Sequence, residues 1–195
     1  MSAHRLNGRR HALRNLSALA ALALGSARSE AHNDAGKVVP PLSAPAMPIA
    51  LHDGSRTDLA KALSGRPTAL QLMFTGCSAT CPIQGALFGA TLKHLPAASA
   101  VRLMSVSIDP LNDDPAAMRR WLKKFDANDL WQGATPDYRD VNRLFDFLRA
   151  RTSGIDRHTA QVYFFTKDST LVLRSTDFPS SQEIARMLLR LTAPL

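Results

Sequence analysis

The sequence has few cysteines, few aromatic residues and no long apolar run. Its 195 residues include two cysteines, and aromatic residues make up 6% of the chain. Two cysteines are too few for the disulfide framework of a small secreted domain, and a chain of this length can fold without one. No run of about 18 apolar residues occurs, which argues against a transmembrane helix. The basic residues are dispersed and not interleaved with aromatic ones, so we expect no nucleic-acid binding.

The first 31 residues have the pattern of an export signal. Three arginines in RRHALR (9–14) form a basic start, and residues 16–27 (LSALAALALGSA) are apolar but too short to cross a bilayer. Small residues permit cleavage after Ala27 or Ala31. The arginine pair is compatible with a twin-arginine signal and with an ordinary Sec signal. Residues 1–31 contain five arginines and one glutamate, so their removal lowers the net charge from +8 to +4.

Three regions follow from these patterns. Residues 1–31 are the predicted signal, residues 32–48 are rich in proline and alanine and predict a linker or an extended lead-in strand, and residues 49–195 are the predicted domain. We predict strands and helices in alternation within the domain: strands at 68–74, 101–109, 130–131, 160–166 and 171–176, and helices at 82–94, 116–125, 137–148 and 181–191. Such alternation predicts an α/β fold, with a central sheet of parallel core strands flanked by helices.

Both cysteines lie where the first core strand meets a helix, in FTGCSATCP (74–82). Helix N-termini stabilise thiolates, and residues four apart share a helix face, so Cys77 and Cys81 can direct both sulfurs to one point. A redox dithiol, a site for a soft metal such as Cu(I) or zinc, and a structural disulfide all remain possible. A metal would need a further ligand. His94 is at the far end of the same helix, about 20 Å away, whereas His158 precedes a predicted hairpin.

Three segments together resemble the Sco/SenC proteins: FTGCSATCP, VSIDPLNDDP (106–115) and DRHTAQVYFF (156–165). Cys77, Cys81 and Pro82 match the CxxxCP motif of that family, and His158 matches its histidine before a late hairpin. The middle segment matches at Ser107, Asp109, Pro110, Asp114 and Pro115. The resemblance covers about residues 49–192, and it implies a thioredoxin-like fold.

This resemblance also implies a function. Sco/SenC proteins bind copper and help to assemble the binuclear copper centre of cytochrome c oxidase. We therefore expect a periplasmic metallochaperone that binds Cu(I) or Cu(II) through Cys77, Cys81 and His158. The expected partners are a copper-accepting oxidase subunit or another copper chaperone, and a periplasmic thiol reductant; the protein is expected to be a monomer. One position departs from the family, since Arg157 stands where the family usually has an aspartate, and Asp156 is displaced by one residue.

A thiol–disulfide oxidoreductase is the alternative function. Cys77 would attack a disulfide of an oxidase subunit or another exported target, and Cys81 would resolve the mixed disulfide. Two features favour copper instead. Three residues separate the cysteines, where thioredoxin-type catalysts have two, and no proline lies between Asp137 and Phe178 to supply the cis-proline of those catalysts. A structural disulfide would close only a very short loop and stabilise little.

Several other residues could be ligands or could simply be part of the core. Met73, Met104 and Met118 lie in apolar patterns and are predicted to fill the core rather than to bind copper. Trp121 and Trp131 are likewise predicted to pack. For Asp109 two roles stay open: orienting a ligand or partner, or closing the strand.

The export signal leads to a testable prediction. We expect a mature chain that begins between Arg28 and His32, and, because no cysteine lies near either cleavage site, a soluble periplasmic protein without a lipid anchor. Cell fractionation and mass spectrometry of the purified protein test this. A chain recovered from membranes with Met1 intact would show that residues 16–27 act as an anchor.

Overall fold

Eight strands and five α-helices follow one another in the residues that the computed structural model describes, 35–152 and 157–193. The predicted signal, His32 and Asp156 lie outside these residues. The strands are β1 (Gly36–Ser43), β2 (Pro48–Leu51), β3 (Arg56–Asp58), β4 (Thr68–Met73), β5 (Arg102–Ser107), β6 (Trp131–Pro136), β7 (Tyr163–Phe165) and β8 (Thr170–Arg174). The helices are α1 (Leu59–Ala62), α2 (Thr80–Leu92), α3 (Pro115–Lys123), α4 (Val141–Leu148) and α5 (Ser181–Arg190), with a short 3₁₀ helix, Tyr138–Asp140, before α4.

All eight strands form one sheet in the order β1-β8-β7-β4-β5-β6-β2-β3. The pairs β4–β5 and β5–β6 are parallel, and the remaining pairs are antiparallel. The predicted parallel core and late hairpin are therefore confirmed. Parallel strands end at the same edge of a sheet, so the loops that follow β4 and β5 are neighbours.

Helices cover both faces of the sheet. Side chains along β4 alternate, so Leu70 and Leu72 face one side and Ala69 and Met73 face the other. On the first face α1 and α4 contribute buried side chains: Leu59, Leu144, Phe145 and Leu148. On the second face α2, α3 and α5 do so: Cys81, Phe88, Met118, Trp121, Leu122, Ile184, Ala185 and Leu188. No helix in the described ranges is both long enough and apolar enough to cross a membrane.

The methionines and tryptophans singled out in the sequence belong to the core. Met73, Met104 and Met118 are fully buried, which confirms the prediction that they fill the interior. Trp121 and Trp131 are 3% and 1% exposed, and their rings meet edge to face at 5.8 Å. The indole N–H of Trp131 donates to Ser105 Oγ at 2.9 Å, so its polar atom is satisfied inside the core.

The segment before residue 49 differs from the predicted linker. Residues 36–43 form β1 at one edge of the sheet, where they pair antiparallel with β8. The alternative of a lead-in strand is therefore correct for these residues. Pro40 and Pro41 are compatible with this position, because an edge strand leaves one row of its N–H groups outside the ladder.

Helix α2 packs through a different face from the predicted one. Its periodicity predicts Ile83 in the core, but Ile83 is 52% exposed, whereas Gln84 and Gly85 are buried. The cause is a close crossing with the end of α3: a Cβ on Gly85 would lie 2.4 Å from the Phe125 ring, and one on Gly89 would lie 2.8 Å from the Phe125 carbonyl oxygen. The two glycines allow this approach and so determine which side of α2 faces the sheet.

This crossing leads to a stability prediction. Alanine in place of glycine inside a helix usually stabilises it by about 1 kcal/mol. Gly85→Ala should instead destabilise the protein, by about 1–3 kcal/mol, because the Phe125 ring also packs against Trp121 and Trp131 and cannot move away freely. In a Phe125→Ala background the same substitution should become neutral or stabilising. Urea denaturation of the four variants tests the coupling, and a stabilising Gly85→Ala in the parent protein would contradict it.

Candidate functional site

The two cysteines lie at the junction that the sequence predicts. Cys77 follows β4 and its N–H donates to the Phe74 carbonyl oxygen at 3.2 Å. Helix α2 begins at Thr80, which places Cys81 in its first turn. Cys77 is half-buried and Cys81 is fully buried, and both are free thiols. The strand brings the first sulfur to the sheet edge, and the helix turns the second inward.

The two thiols contact each other. The Cys81 N–H points to the Cys77 sulfur at 3.4 Å, and the Thr80 hydroxyl lies 3.6 Å from that sulfur. The Cys81 thiol also hydrogen-bonds to Cys77. The two sulfurs therefore lie on the same face of the domain. Both the copper and the redox interpretations require this proximity.

Their surroundings give the two thiols different acidities. Burial raises the pKa of Cys77, but hydrogen bonds from the Cys81 N–H and thiol, the Ala79 N–H and the Thr80 hydroxyl outweigh it, so the pKa of Cys77 lies below its ordinary value. Deeper burial, followed by the hydrogen bond to Cys77, raises the pKa of Cys81 to about 12. Cys77 is therefore the thiol that ionises first.

His158 lies against the buried cysteine. Its Nε2 is 4.0 Å from Cys81 Sγ, and its Nδ1 is 2.7 Å from the Thr159 carbonyl oxygen. A carbonyl oxygen only accepts hydrogen bonds, so this contact assigns the proton to Nδ1 and leaves the Nε2 lone pair directed at the thiol. The side chain is 3% exposed, so His158 is a buried residue and not a surface loop residue.

A buried network holds the backbone around His158. The Thr159 N–H donates to the Ala150 carbonyl oxygen at 3.0 Å, and the Thr159 hydroxyl contacts the Tyr163 hydroxyl at 2.7 Å. Burial raises the pKa of Tyr163 to about 12, so its hydroxyl keeps its proton near neutral pH. These contacts restrict the histidine to one position above Cys81.

Asp113 is a site residue that the sequence patterns do not indicate. It is 1% exposed, and its carboxylate accepts hydrogen bonds from the Thr75 N–H at 3.0 Å, the Thr75 hydroxyl at 2.5 Å and the Ser107 hydroxyl at 2.6 Å. Thr75 lies two residues before Cys77, so Asp113 fixes the loop that carries the first thiol. The doubled acid in NDDP is the available signal, but it does not show which aspartate turns inward.

The two aspartates that matched the family pattern have local structural roles. Asp114 caps α3 by accepting the Ala117 N–H at 2.6 Å. Asp109 receives a hydrogen bond from the Asn112 side chain, and its N–H donates to Ser107 Oγ at 2.9 Å. Of the two roles left open for Asp109, these contacts favour closure of the strand.

The donor atoms suit a soft metal, although they are not yet arranged around one. In residues 35–152 and 157–193, no group of three His, Cys, Asp or Glu side chains has the arrangement of a metal site. The structure brings Cys81 and His158 together, while the Cys77 sulfur is engaged by Thr80 and Cys81. Two thiolates and an imidazole Nε2 are the ligands that Cu(I) prefers. Metal binding would require loss of the thiol protons and a turn of the Cys77 side chain.

Comparisons with known proteins show the family and the fold. The SCO1/SenC family model matches residues 49–193. A SCO1/SenC family lipoprotein from Bacillus anthracis superimposes with a TM-score of 0.66 at 20% identity, covering 79% of this chain and 98% of that one. The structure of Bradyrhizobium japonicum ScoI with copper bound superimposes with a TM-score of 0.59 at 25% identity, covering 77% of this chain and 99% of that one.

BsSco is a third similar structure, described as a member of the Sco family of cytochrome c oxidase assembly proteins with a disulfide switch. It gives a TM-score of 0.64 at 20% identity, covering 80% of this chain and 98% of that one. No protein with a curated description matches the sequence. The central sheet flanked by helices is thus the thioredoxin-like fold of the Sco structures, which confirms the predicted fold class.

The unequal acidities lead to a prediction about thiol reactivity. In the reduced protein iodoacetamide should modify Cys77 first. The rate of its modification should rise with pH, and the midpoint of that rise should lie at a lower pH than in the unfolded chain, because hydrogen bonds lower the pKa of Cys77. Cys81 should stay unmodified through neutral pH, because burial raises its pKa to about 12. Peptide mass spectrometry across pH measures both, and the protein in denaturant is the control, where the two rates should converge. Equal rates in the folded protein would contradict the described geometry.

Proposed function

The chain belongs to the SCO1/SenC family, whose model matches residues 49–193, and from this we propose that it is a copper metallochaperone that assists assembly of a copper centre of cytochrome c oxidase. The observation that carries the proposal is the contact between Cys81 and His158, with Nε2 4.0 Å from the sulfur and its lone pair free of the proton. An oxidoreductase needs only two thiols, whereas a copper site needs this third donor.

Copper would be held as cargo by Cys77, Cys81 and His158. Three ligands complete a Cu(I) site and leave it open to ligand exchange with a target. The similar Bradyrhizobium ScoI structure contains copper, and BsSco belongs to a family of oxidase assembly proteins, which supports both the metal and the process. The acceptor would be a copper-binding oxidase subunit or another copper chaperone.

The dithiol must be reduced before it can bind. Copper replaces the thiol protons, and a Cys77–Cys81 disulfide would offer it no thiolate. A thiol reductant is therefore a required partner, and the disulfide switch named for BsSco is consistent with such a step. After removal of residues 1–31 the protein would act in the periplasm, where thiols are oxidised unless they are kept reduced.

Thiol–disulfide exchange is a second candidate function, and one observation favours it. A half-exposed Cys77 with a lowered pKa beside a buried Cys81 with a raised one is the asymmetry expected of an attacking and a resolving cysteine. In that case Cys77 would attack a target disulfide, Cys81 would displace the reduced target sulfur, and the domain would end as the disulfide.

One substitution separates these functions. His158→Asn keeps a side-chain N–H where Nδ1 donates to the Thr159 carbonyl oxygen, and it removes the Nε2 donor. We expect Cu(I) affinity to fall at least tenfold, about 1.4 kcal/mol, because two thiolates leave the ion under-coordinated. Chelator competition under anaerobic conditions measures the affinity. His94→Asn is the matched control, since His94 is exposed near the end of α2.

The same variant should still exchange its disulfide, because that chemistry uses only the two sulfurs. Preserved exchange with weakened copper binding would support the metallochaperone. If the variant bound copper as tightly as the parent protein, the proposed ligand set would be wrong. A loss confined to thiol exchange would favour the oxidoreductase.

A further inference from the structure

Arg157 packs on the aromatic ring of Phe74, which lies three residues before Cys77. Its guanidinium carbon is 5.3 Å from the centre of the Phe74 ring, a distance at which a cation and the face of an aromatic ring attract. The backbone of Phe74 hydrogen-bonds to both cysteines. Its carbonyl oxygen accepts the Cys77 N–H, and its N–H donates to the Cys81 thiol. His158 is the residue that follows Arg157 in the sequence. Arg157 is therefore stacked on the residue that hydrogen-bonds to both cysteines, and it is adjacent in sequence to the third proposed ligand.

The positive charge of Arg157 is not balanced by a nearby described acid. Among the described residues no carboxylate lies within ion-pair distance of it, and its side chain is exposed. Arg151 offers a contrast, since its guanidinium also lies 5.3 Å from an aromatic ring, that of Phe145. Arg151 is paired with Asp146 at 3.0 Å, and Phe145 belongs to the opposite face of the sheet. Both arginines stack on an aromatic ring, but only Arg151 forms an ion pair with a described acid, and the two rings lie in different parts of the fold.

A cation at this position affects the two oxidation states of copper differently. Two thiolates and a neutral imidazole carry two negative charges, so the complex keeps one negative charge with Cu(I) and is neutral with Cu(II). A neighbouring guanidinium attracts the anionic Cu(I) complex and has no net charge to attract in the Cu(II) complex. It repels each incoming ion, but it repels the doubly charged ion more strongly.

From this geometry we propose that Arg157 makes the site selective for Cu(I) over Cu(II). The inference rests on the proposed copper site and concerns its specificity. One unit charge near a partly solvated site is expected to change the ratio of the two affinities on the order of tenfold at low salt. Arg157 is not a ligand in this arrangement, and its effect is carried by charge alone.

A charge series at position 157 tests the proposal. The Cu(I) and Cu(II) affinities of the reduced full-length protein are measured by competition with a Cu(I) chelator and a Cu(II) chelator. Arg157→Gln should lower the Cu(I)/Cu(II) affinity ratio about tenfold, Arg157→Glu should lower it about a hundredfold, and Arg157→Lys should largely preserve it. The thiolate-to-Cu(II) absorption band should persist in all of them, which shows that the ligands are intact.

Two controls separate charge from packing. Arg151→Gln removes an equally stacked arginine and should leave the ratio unchanged. Raising the ionic strength to about 1 M shortens the screening length to about 3 Å, so the difference between the parent protein and Arg157→Gln should shrink. A purely structural effect would not depend on salt in this way.

The outcomes distinguish this inference from the proposed function. If the parent protein binds copper through its dithiol but Arg157→Gln and Arg151→Gln have the same Cu(I)/Cu(II) affinity ratio, the proposed effect of Arg157 on selectivity is refuted and the copper site stands. The selectivity is also refuted if Arg157→Lys behaves like Arg157→Gln. If the parent protein does not bind copper at all, the proposed function fails and the inference fails with it.

Discussion

The carboxylate of Asp113 is the interaction on which the geometry of the site depends. It accepts hydrogen bonds from Thr75, just after β4, and from Ser107, the last residue of β5. The Asp113 carbonyl oxygen also accepts the Thr135 hydroxyl of β6 at 2.9 Å. One residue thus joins the carboxyl ends of all three parallel strands. A buried carboxylate with several donors is costly to disrupt, because its removal leaves each donor without a partner. These hydrogen bonds therefore anchor the loop that presents Cys77 to the carboxyl ends of the parallel strands.

His158 approaches the dithiol from the opposite direction, and its position depends on different contacts. The residues that restrain it, Thr159 and Tyr163, belong to β7 and the loop before it, which lie on the other side of β4 from Asp113. The site therefore forms where two separately anchored loops meet. Such an arrangement can hold one side chain fixed while another turns, which the proposed uptake and release of copper would require.

Strong local patterns predict much of the fold and the residues of the candidate site. The periodicity of β4 and α5 predicts both elements correctly, and Ser180 caps α5 with its hydroxyl accepting the Glu183 N–H. The cysteine pair and His158 stand out because their residue types and spacing are rare. The edge strand β1 is harder to predict, because it contains Pro40 and Pro41 and proline-rich segments are also typical of linkers.

Features that depend on tertiary contacts could not be predicted from the sequence. The buried side of α2 is determined by the approach of Phe125 to Gly85, which no local pattern shows. Asp113 and Asp114 are adjacent and chemically identical, and only the packed loop determines that Asp113 is buried while Asp114 caps a helix. The stacking of Arg157 on Phe74 joins residues that are far apart in the chain.

The outer strands of the sheet limit how a partner protein can bind. β1 contains two prolines, which have no N–H to donate, and β3 at the other edge is three residues long. Neither edge can accept a long additional strand, so the sheet is protected against extension by another chain. These edges therefore disfavour recognition by β-augmentation. The proposed copper acceptor would instead meet the loops at the carboxyl ends of β4 and β5, where both thiols lie within its reach.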